Sequence, residues 1–233
     1  TPRDYYVPIP GVSGGQKDKL THAGIYGIDA SMRTLGELYE TDINYYARLN
    51  FTSLIDIVDT LGGVDVYSEL AFQTGTESGC IVDVQEGWNH LNGEQALAFS
   101  RERHALADGD NQRGKNQQAV LTAMLRKCLS PTMLLKAGTI MNQVSSEVET
   151  NLSQAQINSL IKYQLNKNAT WTIQSVAATG TNDKGYCYSS GDTPLFIMDP
   201  DEDVVQEIID LANVVEEGGT LKDGESLKDR KSV

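Results

Sequence analysis

Apolar positions along this chain change period repeatedly, and each change predicts an element. Residues 21–39 carry Ala23, Ile25, Ile28, Met32, Leu35 and Leu38 at helical spacing, interrupted by Gly24 and Gly27. Residues 43–50 alternate instead, with Ile43, Tyr45, Ala47 and Leu49 set against Asn44, Tyr46, Arg48 and Asn50, which predicts a strand with one covered face. From 51 to 61, Phe51, Leu54, Ile55, Val58 and Leu61 fall on one helical stripe that Gly62-Gly63 stops. A short strand follows at 64–67. Residues 92–100 read as a short helix and 110–129 as a longer one ended by Ser130-Pro131. Residues 132–144 and 153–165 add two more helical stretches, 170–177 and 195–198 read as strands, and 201–215 as an amphipathic helix. Pro8, Pro10, Gly11, Gly14 and Gly15 make the first twenty residues a strand end running into a long loop.

Helix and strand patterns that alternate without a low-complexity linker predict a single α/β domain, a three-layer α-β-α arrangement with a central mixed sheet flanked by helices. The expected division is a main domain over 1–200, a C-terminal amphipathic helix over 201–217 and a disordered tail over 218–233, where Gly, Lys, Asp, Glu and Ser leave almost nothing to bury. No window approaches the roughly 18 apolar residues that cross a bilayer. The chain starts at Thr1, which is expected of a processed form lacking an upstream part.

Charge narrows the function classes. Against 32 Asp and Glu stand 19 Lys and Arg, a net charge of −13 over 233 residues. Such a chain is neither a general nucleic-acid binder nor held electrostatically on a membrane, so any anionic partner has to be met locally. Residues 101–127 are the local exception, with six cations against three carboxylates. Arg126 and Lys127 suit the C-terminal end of a helix dipole. If residues 101–104 are extended, Arg101 and Arg103 point to one side about 7 Å apart, a pyrophosphate-sized spacing. Gly109-Asp110 resembles an N-cap, and the helix after it is expected to bury Val120, Leu121, Met124, Leu125 and Cys128, which brings Gln117 and Arg113 onto the same face. Two readings stand for this set: an anion site built on arginines and a helix N-terminus, or an internal ion-pair network such as Asp110 with Arg113.

Three cysteines are too few for a disulfide scaffold, and none has zinc spacing. Cys80 and Cys187 lie in polar, turn-like surroundings and form a candidate pair in an oxidising compartment; the alternative is three free thiols. Cys128 follows an apolar helical pattern. Gly11-Val12-Ser13-Gly14-Gly15 fits a nucleophile elbow in letters only, because prolines precede it and a polar loop follows. His22, His90 and His104 are too dispersed for a metal set. His104 is either a general base beside Arg103 or a structural strand-end histidine. Tyr5, Tyr6, Tyr45 and Tyr46 either line a lipid groove or pack a sheet. Asn50, Asn151 and Asn168 begin glycosylation sequons that matter only in a eukaryotic secretory setting.

Several motifs in order carry a family resemblance: Pro2-Arg3-Asp4 before Tyr5-Tyr6-Val7-Pro8, Lys19-Leu20-Thr21-His22-Ala23, Leu61-Gly62-Gly63-Val64-Asp65-Val66, residues 91–103 from Leu91-Asn92-Gly93 to Arg101-Glu102-Arg103, and Asp108-Gly109-Asp110-Asn111-Gln112-Arg113 with Gln117-Gln118. Over residues 1–200 the chain resembles the catalytic domain of the LytR-CpsA-Psr family. The resemblance implies a membrane-anchored phosphotransferase on the extracellular face of a Gram-positive cytoplasmic membrane. Such an enzyme moves teichoic acid or capsular polysaccharide from a polyprenyl-pyrophosphate carrier to peptidoglycan with Mg²⁺. An older label, transcriptional attenuator, sits poorly with an acidic extracellular domain.

Position by position, the resemblance makes Arg3 and Asp4 the family's catalytic pair, with Asp4 a Mg²⁺ ligand. It makes Lys19, Arg101, Arg103, Arg113 and Gln117 the pyrophosphate-binding set, and Asp110 a nearby catalytic carboxylate. Either Asp4 or Asp110, or metal activation, removes the acceptor proton. Two departures stand out. The family's second upstream Asp and first strands, like its N-terminal membrane anchor, are outside the sequence given, so weak Mg²⁺ binding is expected. Asn116 stands where many members carry another Arg, which weakens the anion site or shifts its load to Lys115. The alternative from a different class is a non-catalytic binder of polyprenyl-phosphate lipids or wall polymers with a regulatory role.

Overall fold

The computed structural model describes residues 1–103, 109–144, 146–167, 171, 173 and 175–219. In chain order the elements are β1 (Tyr6–Pro8), β2 (Lys17–Lys19), α1 (Leu20–Ala23), a 3₁₀ turn at Gly24–Tyr26, α2 (Ile28–Leu38), β3 (Ala47–Arg48), α3 (Phe51–Thr60), β4 (Val64–Ser68) and β5 (Phe72–Gln73). A 3₁₀ turn at Thr76–Ser78 leads to β6 (Asp83–Val84), β7 (Gly87–Leu91), α4 (Gly93–Arg101), α5 (Gly109–Cys128), α6 (Pro131–Leu135) and α7 (Ala137–Val144). The chain continues through β8 (Glu149–Thr150), α8 (Gln154–Lys167), β9 (Gly180–Tyr186), β10 (Pro194–Pro200) and α9 (Glu202–Glu216). Residues 220–233, the expected disordered tail, lie outside the described residues.

The α/β class holds. Among the described residues its strands pair as five two-stranded antiparallel ladders: β1 with β2, β9 with β10, β3 with β8, β4 with β7 and β5 with β6. Mixed direction enters at Tyr5, which bridges Met198 in parallel just ahead of β1. Prolines mark the ends of two of these strands. Pro8 ends β1, and Pro194 and Pro200 bound β10, because a residue without an N–H cannot extend a ladder on both sides.

The chain folds as two compact units, Thr1–Asn44 with Gln174–Val233 and Tyr45–Ile173. In the first, Tyr5, Val7, Ala178 and Met198 form one buried cluster, with Leu38, Val205 and Ile208 packed against it; Ile9, Ala23 and Ala30 form a second. The single helix expected over 21–39 is two helices. It breaks at Gly27, whose φ of 101° only glycine adopts without strain. α9 starts where the pattern placed it: the Asp201 carboxylate accepts from the backbone N–H groups of Asp203 and Val204.

The second unit packs α3, α4 and α5 with β4 and β7 around Val58, Leu61, Val64, Val66, Leu91, Ala96, Phe99, Val120 and Met124. The Asn92 side chain caps α4 and the Gln95 side chain reaches back to the Asn92 N–H, a reciprocal capping box. A Cβ at Gly93 would collide with the Ile55 carbonyl, so this start of α4 depends on glycine.

Two strands differ from expectation. Of residues 43–50 only Ala47–Arg48 pair, and Tyr45 and Leu49 stand 54% and 39% exposed, so the alternation covers no face. In 170–177 the described residues 171, 173 and 175–177 are outside any strand; β9 begins only at Gly180.

Candidate functional site

The first unit places Asp4 and Lys19 together. Backbone bonds from Thr21 N to Arg3 O (2.9 Å), Leu20 N to Tyr5 O (2.8 Å) and Met198 N to Asp4 O (2.8 Å) lay the Arg3-Asp4 segment between α1 and β10. The Lys19 ammonium then donates to Asp4 Oδ1 at 2.8 Å, both side chains being mostly buried, and lies 5.9 Å from the Phe196 ring centroid. Arg3 is exposed. Mg²⁺ prefers six oxygen ligands and is held by one or two carboxylates together with substrate phosphates. Among the described residues no group of three or more His, Cys, Asp or Glu is arranged for a metal ion, and Asp4 already spends one oxygen on an ammonium. These residues do not fit a resident Mg²⁺.

Directly behind Lys19 is a group that motif reading missed. Strand alternation turns Asp18 inward, where it is fully buried. Its carboxylate meets His22 Nδ1 at 2.6 Å and accepts from Lys19 N at 2.7 Å and Ser189 N at 2.9 Å, while Ser189 Oγ is 2.8 Å from the same His22 nitrogen. Burial raises the Asp18 carboxyl pKa, but the hydrogen bonds from His22, Ser189 and Lys19 outweigh it and hold the group below its ordinary value. One imidazole nitrogen serves both partners, so this is not a serine-nucleophile relay. The signal was present in sequence as an Asp and a His four residues apart across a helix start.

Cys187 lies beside Asp18 in the first unit, 1% exposed, and burial followed by the neighbouring Asp18 charge raises its thiol pKa. The candidate Cys80–Cys187 disulfide is corrected: all three cysteines are free. Cys187 is committed to the Asp18 surroundings, whereas Cys80 packs against the core of the second unit.

In the second unit the helix, not a strand, carries the first arginine. α4 runs to Arg101, and Glu102 turns the chain into extended backbone, so Arg101 and Arg103 do not share the face of a strand. The Arg101 guanidinium lies over Phe51, 5.1 Å from its centroid, and Nη2 is 3.4 Å from the Glu77 carbonyl. It has no ion pair with a carboxylate among the described residues. Glu102, between the two arginines, is 1% exposed; its carboxylate accepts from Gly75 N (2.7 Å), Ser78 Oγ (3.0 Å) and Arg103 N (2.9 Å). Sequence reading counted it only as a charge, and its burial has no local signature.

The buried stripe of α5 is Asn116, Val120, Ala123 and Met124. It is rotated from the expected one: Leu121 and Leu125 are 54% and 44% exposed, Cys128 is exposed, Gln117 faces solvent and Arg113 is half-buried. Asn116 explains the rotation. Its amide donates to the Phe99 carbonyl at 3.1 Å and accepts from Gln112 at 3.0 Å, so the position that departs from the family pattern joins α5 to α4. Asp110 is in the first turn of α5 with its side chain outside the described residues; His104 and Asp108 are outside them altogether.

The fold is an α/β one of two compact units, with Lys19 bonded to Asp4 in the first and Arg101 seated on Phe51 at the end of α4 in the second. The chain is a member of the LytR_cpsA_psr family, whose model matches residues 1–197. The polyisoprenyl-teichoic acid–peptidoglycan teichoic acid transferase TagU of Bacillus mycoides is 37% identical over 157 residues, 67% of this chain and 49% of that protein. TagU of Oceanobacillus iheyensis is 30% identical over 194 residues, 80% of this chain and 58% of that one. The crystal structure of B. subtilis TagV superposes with a TM-score of 0.74 at 25% identity, covering 95% of this chain and 83% of that one. TagT bound to LIIa-WTA superposes with a TM-score of 0.67 at 29% identity, covering 91% and 75%. The chain spans about half the length of the Bacillus relatives it matches.

Proposed function

We propose that this chain is the transferase domain of a cell-envelope enzyme that moves a glycopolymer of teichoic acid or capsular polysaccharide type from a polyprenyl-pyrophosphate carrier to peptidoglycan. The observation that carries this reading is Arg101, a guanidinium seated on Phe51 without a described carboxylate against it, at the end of α4 in a member of this family. The names of the TagU relatives support the donor and acceptor classes.

In this reading Arg101, Arg103 and Arg113 bind the pyrophosphate oxygens through their N–H forks, with Gln117 supplying amide donors one turn beyond Arg113. An acceptor hydroxyl oxygen attacks the phosphorus next to the glycan. The new O–P bond forms as the bridging P–O bond breaks, and polyprenyl phosphate leaves with the electron pair. Guanidiniums stabilise the charge that gathers on that leaving group. The hydroxyl proton passes to a carboxylate, with Asp110 in the first turn of the helix that carries Arg113. A lipid-carried donor and a wall acceptor place the reaction on the outer face of the cytoplasmic membrane, with the protein anchored there. No helix among the described residues is long and apolar enough to cross a membrane.

The test is turnover with a polyprenyl-pyrophosphate-linked glycan and peptidoglycan. Release of polyprenyl phosphate, lost in Arg101→Ala and in Arg113→Ala, supports the transferase. Saturable donor binding without any product, in a sample of confirmed fold, would replace it with a non-catalytic lipid or polymer binder.

A further inference from the structure

The β4–β7 ladder has two faces, and the core uses one. Val64, Val66, Asn89 and Leu91 turn inward and are buried. The outward positions are Asp65 and Tyr67 on β4 and Trp88 and His90 on β7, all exposed, with the exposed Glu69 and Glu86 just beyond the ends of the two strands. Register sets Tyr67 opposite Trp88 and Asp65 opposite His90. The two aromatic rings meet edge to face, 5.4 Å between centroids at 74°, yet remain 52% and 64% exposed. Beside them His90 Nδ1 and Asp65 Oδ1 are 2.7 Å apart, each side chain 61% exposed.

A cross-strand aromatic pair supports a ladder, but it does not require indole and phenol rings more than half in water. What the pair adds is a ring face with carboxylate and imidazole about 7 Å further along the strand. Pyranose rings pack their C–H faces on aromatic rings and hydrogen-bond through hydroxyl and amide groups, and this strip supplies both kinds of contact. Charge selects which sugar. Asp65 is on the face, Glu69 and Glu86 stand just beyond its ends, and none of its four outward positions is Lys or Arg. A phosphate-rich glycopolymer is repelled there, whereas an uncharged sugar chain is not.

We infer that the outward face of β4–β7 binds the sugar strand of peptidoglycan, with an N-acetylated pyranose stacked on Trp88, whose ring Tyr67 holds edge to face, and its polar groups bonded to Asp65 and His90. The identity of the strand as acceptor rests on the proposed transferase function; the sugar-binding chemistry of the face does not.

The probe is a soluble β-1,4-linked N-acetylglucosamine tetrasaccharide. The chain has two tryptophans, so Trp171→Phe leaves Trp88 as the sole indole reporter. Saturable change in Trp88 emission is expected. By calorimetry in the otherwise unchanged chain, Trp88→Ala weakens binding about tenfold, Trp88→Phe less, and Asp65→Asn measurably at an unchanged circular-dichroism spectrum. Absence of saturable binding, affinity indifferent to Trp88→Phe and Asp65→Asn, tighter binding of a phosphate-rich polymer, or self-association that buries Trp88 would each overturn the inference. Sugar binding without transfer would count against the transferase and leave this site standing; transfer without sugar binding here would do the reverse.

Discussion

Phe51 carries the guanidinium of Arg101 on its ring at 5.1 Å, although Phe51 itself is 62% exposed. An aromatic residue at the first position of a helix, left mostly in water, here does the work of orienting a cation. An exposed cation–π contact is worth about 0.5–1 kcal/mol. Phe51→Ala is therefore expected to raise the donor KM about two- to fivefold with little change in stability, and Phe51→Tyr to restore it. Steady-state transfer kinetics decide the matter, and an unchanged KM would remove Phe51 from the site.

Glu102 is a stability residue as much as a local charge. Glu102→Ala leaves Gly75 N–H and Ser78 Oγ without their acceptor, at a cost of about 1–3 kcal/mol. Urea unfolding should show this as a lower midpoint with an unchanged slope. A loss below 0.5 kcal/mol, about the noise of an exposed substitution, would mean that water takes over these bonds.

Asp18 predicts the direction of an acid transition. Its folded pKa is depressed, so its contribution is fully present above the unfolded carboxylate value of about 3.9 and is lost as pH falls through the folded value. Asp18→Asn should flatten the dependence of stability on pH below about 4 and cost stability at neutral pH. Thermal melts of both proteins from neutral to acid pH measure it; parallel curves would refute the assignment.

The thiols separate by exposure. Three are expected to titrate in denaturant, and in the native protein Cys128 should react first and Cys187 last. A single reactive thiol in denaturant would restore the disulfide reading.

The helices were the legible part of this chain. Asn92 with Gln95, Gly62-Gly63 after Leu61, and Asp201 before Glu202 are local signals, and caps and stops need no tertiary information. Residues 43–50 misled because alternation records which face is apolar, not whether anything covers it; Tyr45 and Leu49 stay in water. Motifs named Asp4 and Lys19 for different roles, a metal ligand and a phosphate contact, and their bond to one another was not in the pattern. The supports of the site were not legible. Phe51 under Arg101, Glu102 under the 75–78 turn and Ser189 on Asp18 are contacts between residues far apart in sequence, and the buried stripe of α5 includes the polar Asn116 bonded to the Phe99 carbonyl.

The first unit is closed by its own far end. Ser189 bonds Asp18 across 171 residues of chain, and the Tyr5 hydroxyl donates to the Thr179 carbonyl across 174. During synthesis the N-terminal strand pair therefore waits, with Tyr5 uncovered, until the whole second unit has been made and the β9–β10 hairpin has emerged. Loop closure of that length makes the first unit the later one to fold, and its early segment is the part that stays uncovered longest.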